Sequence, residues 1–261
     1  MRATLAQLAP RARDVPANLD RVQTVLESCE GTDLLVFPEL FLSGYELADA
    51  RAVSIDIDGP EVGRLREAAR DSGTAIVVGA AERVADGVAN SALCIGRAGE
   101  LAGVYRKTHL FGAETGSYVA GDELVTVELE GRTVGLMICF DVEFPEVART
   151  LALRGADLLV SISANPEAFR RDHAVFVPAR ALENGLPHLY VNRVGRQEDV
   201  SFSGSSMAID PEGTVLAEAG PTDEELLHAD IGEAGRQDAR TRYLELLRPS
   251  VYDAPLDPDA E

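Results

Sequence analysis

Apolar positions along the chain follow two rhythms, one of continuous or period-two runs and one of helical spacing. ATLAQLA (3–9) reads as a first strand, and NLDRVQTVLESCE (18–30) carries helical periodicity. LLVFPE (34–39) is apolar throughout and predicts a buried strand, followed by an amphipathic helix in PEVGRLREAARDSG (60–73) that stops at Gly73. TAIVVGAAER (74–83) and VANSALCIG (88–96) predict strands joined by the turn-rich ADG. After GVYRKTHLF (103–111), VTVELEG and RTVGLMICF predict a hairpin about Glu130-Gly131. FPEVARTLALRG (144–155) reads as a helix, ADLLVSIS (156–163) as a buried strand and RRDHAVFVPARALENG (170–185) as a helix closed by Gly185. Four more strands are predicted in HLYVNRVG, SGSSMAIDP, TVLAEAG and ELLHADI, and a last helix in EAGRQDARTRYLELLR (233–248).

Strands and helices alternate early, and strands then run consecutively. That order predicts one large mixed sheet, or two sheets, flanked by helices. With no linker or repeat inside residues 1–248, they form one domain; the proline-rich, acidic tail 249–261 is either disordered or laid across a partner subunit.

Composition narrows the function classes. A formal charge of −20 argues against a nucleic-acid partner, since phosphate binding needs a positive patch. No apolar run reaches the roughly 20 residues of a membrane helix, and the N-terminus lacks a signal-peptide pattern, so the expected location is the cytoplasm. Cys29, Cys94 and Cys139 are widely spaced and suit neither a disulfide framework nor a metal site, and no two of the four histidines have ligand spacing. A zinc or iron enzyme is therefore not expected.

One compositional fact points to chemistry. Of 24 basic residues all but Lys107 are arginine. A chain that uses arginine for every general-purpose cation has kept one compact, tunable ammonium. Cys139, in GLMICFDVEFPE, stands where a buried strand gives way to a helix, near the positive end of a helix dipole. Such a position is expected to favour the thiolate and to offer backbone N–H groups to an oxyanion. Cys29 on a helix and Cys94 in mid-strand read as ordinary buried cysteines. Glu39 follows an apolar strand directly and precedes more apolar residues, so desolvation should raise its pKa into the range of a general base. Glu114, just past Lys107, is placed to orient the lysine or a substrate.

A strand-end acid, a lone lysine and a strand-end cysteine in this order resemble the nitrilase superfamily of carbon–nitrogen hydrolases. The resemblance runs through VFPELFLSGY, YRKTHLF, GLMICFDVEFPE, ARALENG, NRVG and SGSSMAIDPEG, and so covers essentially the whole chain. It implies a four-layer αββα sandwich that dimerises. It also implies a catalytic set of Glu39, Lys107 and Cys139 with Glu114 beside it, the Phe140 N–H as an oxyanion donor, and a reaction that requires no metal or organic cofactor. Relatives often have tyrosine at that position; a backbone contact survives the change. Within the family the pattern is closest to bacterial amidases of small aliphatic or amino-acid-derived amides, with N-carbamoyl-amine hydrolase or ω-amidase as the alternative and nitrilase behind them. Two other classes compete: a Cys–His hydrolase using His173 or His188, and a non-catalytic binding protein on the same fold.

Overall fold

The computed structural model describes residues 1–232 and 243–252. Its strands are β1 (Arg2–Gln7), β2 (Leu34–Val36), β3 (Ala75–Val84), β4 (Gly87–Ile95), β5 (Leu101–Arg106), β6 (Thr126–Leu129), β7 (Arg132–Ile138), β8 (Leu158–Ser163), β9 (His188–Asn192), β10 (Arg196–Gln197), β11 (Val200–Ser201), β12 (Met207–Ile209), β13 (Val215–Glu218) and β14 (Glu225–Asp230). Four helices of two turns or more, α1 (Val15–Ser28), α2 (Pro60–Ser72), α3 (Pro145–Leu153) and α4 (Arg170–Asn184), are set by local chemistry. Asp14 Oδ1 accepts the Ala17 N–H at the start of α1, and prolines stand in the first turns of α1, α2 and α3. Gly73 and Gly185 close α2 and α4 in the left-handed conformation.

Of the two arrangements open from sequence, the chain adopts the two-sheet one. Six strands pair in the order β14-β1-β2-β3-β4-β5 and six in the order β13-β12-β9-β8-β7-β6. Alternation along each strand gives every sheet two apolar faces. Leu5, Val36 and Val77 from the first sheet meet Leu136, Val160 and Leu189 from the second in a common core. The opposite face of the first sheet, including Leu35 and Ile76, packs on Val22 and Leu26 of α1 and Leu65 of α2. On the second sheet, Met137 and Leu159 pack on α3, and Tyr190 and Ile209 on α4. The layers are therefore αββα.

Most predicted elements fall where expected, the Glu130-Gly131 hairpin included, with β6 and β7 antiparallel. The predicted helix at 233–248 has residues 233–242 outside the described ones, and Tyr243–Leu246 form turns rather than helix. The tail, expected to be disordered or laid across a partner subunit, begins with one helical turn, Pro249–Tyr252; residues 253–261 lie outside the described ones. A small hairpin, β10–β11, was not expected. It is charged and only two residues a side, too short to show a period.

Strand direction places the chemistry. β2, β3 and β5 run the same way in one sheet, and β7, β8 and β9 run parallel in the other. The carboxyl ends of β2, β5, β7 and β8 share one edge of the sandwich, the edge at which such sheets bind ligands.

Candidate active site

Glu39 leaves the end of β2 in a tight turn. Leu40, next in the chain, has φ of 50°, and the turn lies against β3 at Gly79. A Cβ on Gly79 would come within 2.3 Å of Leu40 N and 2.4 Å of Pro38 O, so only glycine permits this approach. The fully buried carboxylate is held on both oxygens. Oε1 accepts from Lys107 Nζ at 2.8 Å and Asn90 Nδ2 at 2.6 Å, and Oε2 accepts from the Ala164 N–H at 2.6 Å, past the end of β8. Burial pushes its pKa up; Lys107 works against that rise, and Glu114 adds to it.

Lys107 follows β5 and is fully buried. Its ammonium lies 2.8 Å from Glu39 and 2.9 Å from Glu114. Burial disfavours that charge, but the carboxylates of Glu39 and Glu114 outweigh it, and the pKa stands well above the usual lysine value. Glu114 is fixed in turn by the Tyr45 hydroxyl at 2.7 Å and the Phe111 N–H at 2.8 Å. Glu39, Lys107 and Glu114 thus form one closed carboxylate–ammonium–carboxylate cluster.

Cys139 directly follows β7 with φ of 47°, a left-handed conformation that costs a non-glycine residue on the order of 1–3 kcal/mol. What holds it there is Asp141, fully buried two residues on. Its carboxylate accepts from the Ile138 N–H at 2.9 Å, the Tyr105 hydroxyl at 2.7 Å, the Thr108 hydroxyl at 3.0 Å and the His109 N–H at 3.1 Å. Asp141 therefore ties the cysteine turn to the segment that carries Lys107.

The helix expected a few residues after Cys139 is there: a 3-10 turn (Cys139–Glu143) leads into α3 at Pro145. The ionisation of the thiol departs from expectation. Burial, with the negative charge of Glu39, pushes the thiol pKa well above the usual cysteine range, while Lys107 and the Ser163 hydroxyl pull the other way. Cys139 rests as a thiol beside a base, not as a preformed thiolate. Cys94, also buried, is pushed up to about 12 by burial alone. What separates the two is the carboxylate and the ammonium. Phe140 stands at the second position of the 3-10 turn, where N–H groups have no partner within a helical turn.

The two histidines weighed as alternatives have hydrogen-bond partners other than Cys139. His188 is hydrogen-bonded to the Ser161 hydroxyl and the Val177 carbonyl, and burial lowers its pKa to about 4. His173 Nδ1 pairs with the Tyr190 hydroxyl at 2.8 Å, and its Nε2 lies 3.5 Å from Glu143. Among the described residues no group of three or more His, Cys, Asp and Glu side chains is arranged to hold a metal ion, and no helix is long and apolar enough to cross a membrane.

A cleft of about 10 Å³ opens in front of Cys139, room for about one water in this state. Phe111, Phe140 and Phe169 wall it, with Glu143, Asn165 and His173 as its polar members. Sequence reasoning missed Asn90, Tyr45 and Asp141. Asn90 had a signal, an amide inside an apolar strand segment, which must find a partner when buried.

The carbon-nitrogen hydrolase family model matches residues 2–241. A hydrolase encoded in the pqqF 5' region of Pseudomonas protegens is 41% identical over 97% of this chain and 91% of its own length. An (R)-stereoselective amidase from Pseudomonas sp is 41% identical over 84% of this chain and 81% of its own. Among solved structures, an amidase from Nesterenkonia sp. AN1 superposes with a TM-score of 0.85 at 30% identity, covering 97% of this chain and 95% of that one. In that structure, a glutamate-to-glutamine variant, the acetamide moiety of fluoroacetamide is covalently added at the active-site cysteine. The chain belongs to the carbon–nitrogen hydrolase family, whose members cleave carbon–nitrogen bonds.

Proposed function

We propose that this protein is a cysteine-dependent amidase that hydrolyses a small amide to carboxylate and ammonia through a thioester, with Glu39, Lys107 and Cys139 as catalytic residues. The observation that carries this reading is the buried Glu39–Lys107–Glu114 cluster at the same sheet edge as a cysteine held in a strained backbone conformation. Glu39 takes the thiol proton as Cys139 Sγ attacks the amide carbon. Lys107 and the Phe140 N–H hold the oxyanion. Collapse of the adduct breaks the C–N bond, and the nitrogen leaves as ammonia with the proton from Glu39. Glu39 then takes a proton from water, hydroxide adds to the thioester, and the carboxylate departs as Cys139 regains its proton. Glu114 fixes the ammonium so that it serves two carboxylates and an oxyanion without moving.

A homodimer is the proposed assembly. Leu153 on α3 and Val175 and Leu182 on one face of α4 are exposed apolar side chains on the outer layer of the second sheet, which supports burial against a second copy. Residues 1–248 are taken as the hydrolase domain and 249–261 as an appended tail. Three free, buried cysteines support a cytoplasmic location.

The test is ammonia release from a panel of amides, nitriles and N-carbamoyl amines, with Cys139→Ala as control. Turnover of amides, lost in the variant while it stays folded, is expected. Turnover confined to nitriles or N-carbamoyl amines, or ammonia release at the wild-type rate by Cys139→Ala, overturns the proposal.

A further inference from the structure

We propose that Arg193 is the counter-charge of the reaction centre, a positioning residue that keeps Glu39 ionised from the Oε2 side while Lys107 holds Oε1; this rests on the reading of Glu39 as the base. Among the described residues, the buried lysine and arginine side chains are Lys107, Arg180 and Arg193. Lys107 has its two carboxylates, and Arg180 has Glu183. Arg193, only 1% exposed, has no carboxylate partner. Its Nη1 donates to the Gln197 side-chain oxygen at 2.9 Å, its Nε has no partner, and its Cζ lies 4.0 Å from the centre of the Phe202 ring. A buried guanidinium without an anion is costly, and an apolar chain of similar length would pack on Phe202 without that cost. Negative charge close by is what offsets it.

That charge is in the reaction centre. Two carboxylates and one ammonium leave one excess negative charge, which persists when Glu39 takes the thiol proton and the adduct oxygen becomes anionic. Arg193 reaches this centre by two routes. Its own N–H donates to the Ser163 carbonyl at 3.2 Å, and the N–H of that same peptide group, on Ala164, donates to Glu39 Oε2 at 2.6 Å. One peptide group thus separates the Arg193 backbone from the Glu39 carboxylate. By the second route, Gln197 accepts from Arg193 and from the Tyr45 N–H and donates to the Tyr45 carbonyl at 2.9 Å, and the Tyr45 hydroxyl holds Glu114. Burial pulls the Arg193 pKa down to about 10, and Glu39 works against that fall, so the guanidinium is charged wherever a carboxylate titrates. The other titratable groups facing Glu39 are Lys107, Glu114, Cys139 and the phenols of Tyr45, Tyr118 and Tyr190. Burial pushes the thiol and the phenols up, so they stay neutral on the acid side.

The experiment follows two pH profiles: kcat/KM for a neutral amide, and the rate at which iodoacetamide alkylates Cys139, read by peptide mass spectrometry. Both need ionised Glu39, the second without any turnover. Removing a cation raises the pKa of a nearby carboxylate. Arg193→Gln should therefore move the acid limb of each profile to higher pH by on the order of one unit, about tenfold in rate on the acid side. Arg193→Met, whose chain packs on Phe202, is a second neutral variant should the first not fold, and the same shift is expected. Arg193→Lys keeps the charge and should leave each limb within about 0.3 unit of the wild type. A limb unmoved in the neutral variants, or moved equally in Arg193→Lys, overturns the counter-charge. A wild-type profile with no acid limb overturns it together with Glu39 as the base. Alkylation limbs that shift as expected, with no amide turned over, uphold Arg193 and overturn the amidase reading.

Discussion

Arg106 and Lys107 are adjacent in the chain and stand at the end of one strand, yet they do opposite kinds of work. Arg106 clasps Glu82 with two nitrogens at 2.8 and 2.6 Å, and about half of its side chain, 48%, stays in contact with solvent. Ser91 donates to the same carboxylate at 2.7 Å. Lys107, one residue later, is wholly buried and divides one ammonium between Glu39 and Glu114. The planar fork of arginine suits a fixed two-point clasp on one carboxylate, and its charge is paired at the rim of water. A compact ammonium can face two carboxylates and still turn a proton toward a third oxygen. The difference shows why a chain written almost wholly in arginine keeps lysine at this position. The first pair holds strands together, and the second holds charge where charge will develop.

Swapping the two cations is the strongest way to break this comparison. Lys107→Arg keeps the charge but forces a broad fork into a space built for a point donor; kcat/KM should fall on the order of a hundredfold, as for a misplaced oxyanion donor. Retention of wild-type kcat/KM would remove Lys107 from the reaction. A smaller effect sharpens the contrast between the two sets of acids. Glu114→Gln should lower kcat/KM on the order of tenfold, about the weight of one charge-assisted hydrogen bond. It should also move the pH profile. Activity requires ionised Glu39, so it falls as pH drops through a pKa raised above 4.5. Removing the negative charge of Glu114 takes away one cause of that rise, and the acid limb of kcat/KM should shift to lower pH. Glu82→Gln should leave the limb where it is. Arg106→Lys should have the smallest effect: turnover within about twofold of wild type and about 1 kcal/mol of stability lost in urea unfolding, since a half-exposed pair contributes little. A loss of activity matching that of Lys107→Arg would show that the two cations act as one unit.

The same contrast explains what was legible in the sequence. Lys107 stood out because composition isolates it, and Cys139 because a buried strand visibly stops there. The strand and helix order was legible because each element buries one or two faces and so shows its period. Two sheets rather than one could not be read from the order of elements, since strand pairing depends on contacts far apart in the chain; only the family resemblance implied them. The site's supporting residues were hidden for the same reason: Asn90 reaches Glu39 across 51 positions, Tyr45 reaches Glu114 across 69, and Ala164 reaches Glu39 across 125. The expectation of a ready thiolate failed because it weighed a helix dipole and not burial. Once the thiol is enclosed beside Glu39, desolvation and like charge dominate. That outcome changes the chemistry from a standing nucleophile to one made on demand by its base.

The central claim is that Cys139, and neither of the other buried thiols, carries the acyl group. Wild-type protein mixed with a hydrolysable amide, quenched in acid during turnover and mapped by peptide mass spectrometry, tests it directly. The acyl mass should appear on the peptide containing Cys139 and on neither the Cys29 nor the Cys94 peptide, and Glu39→Gln, which removes the base that activates the thiol, should lower it without moving it elsewhere. Acylation of Cys29 or Cys94, or steady ammonia release with no acyl mass on Cys139, would contradict the mechanism.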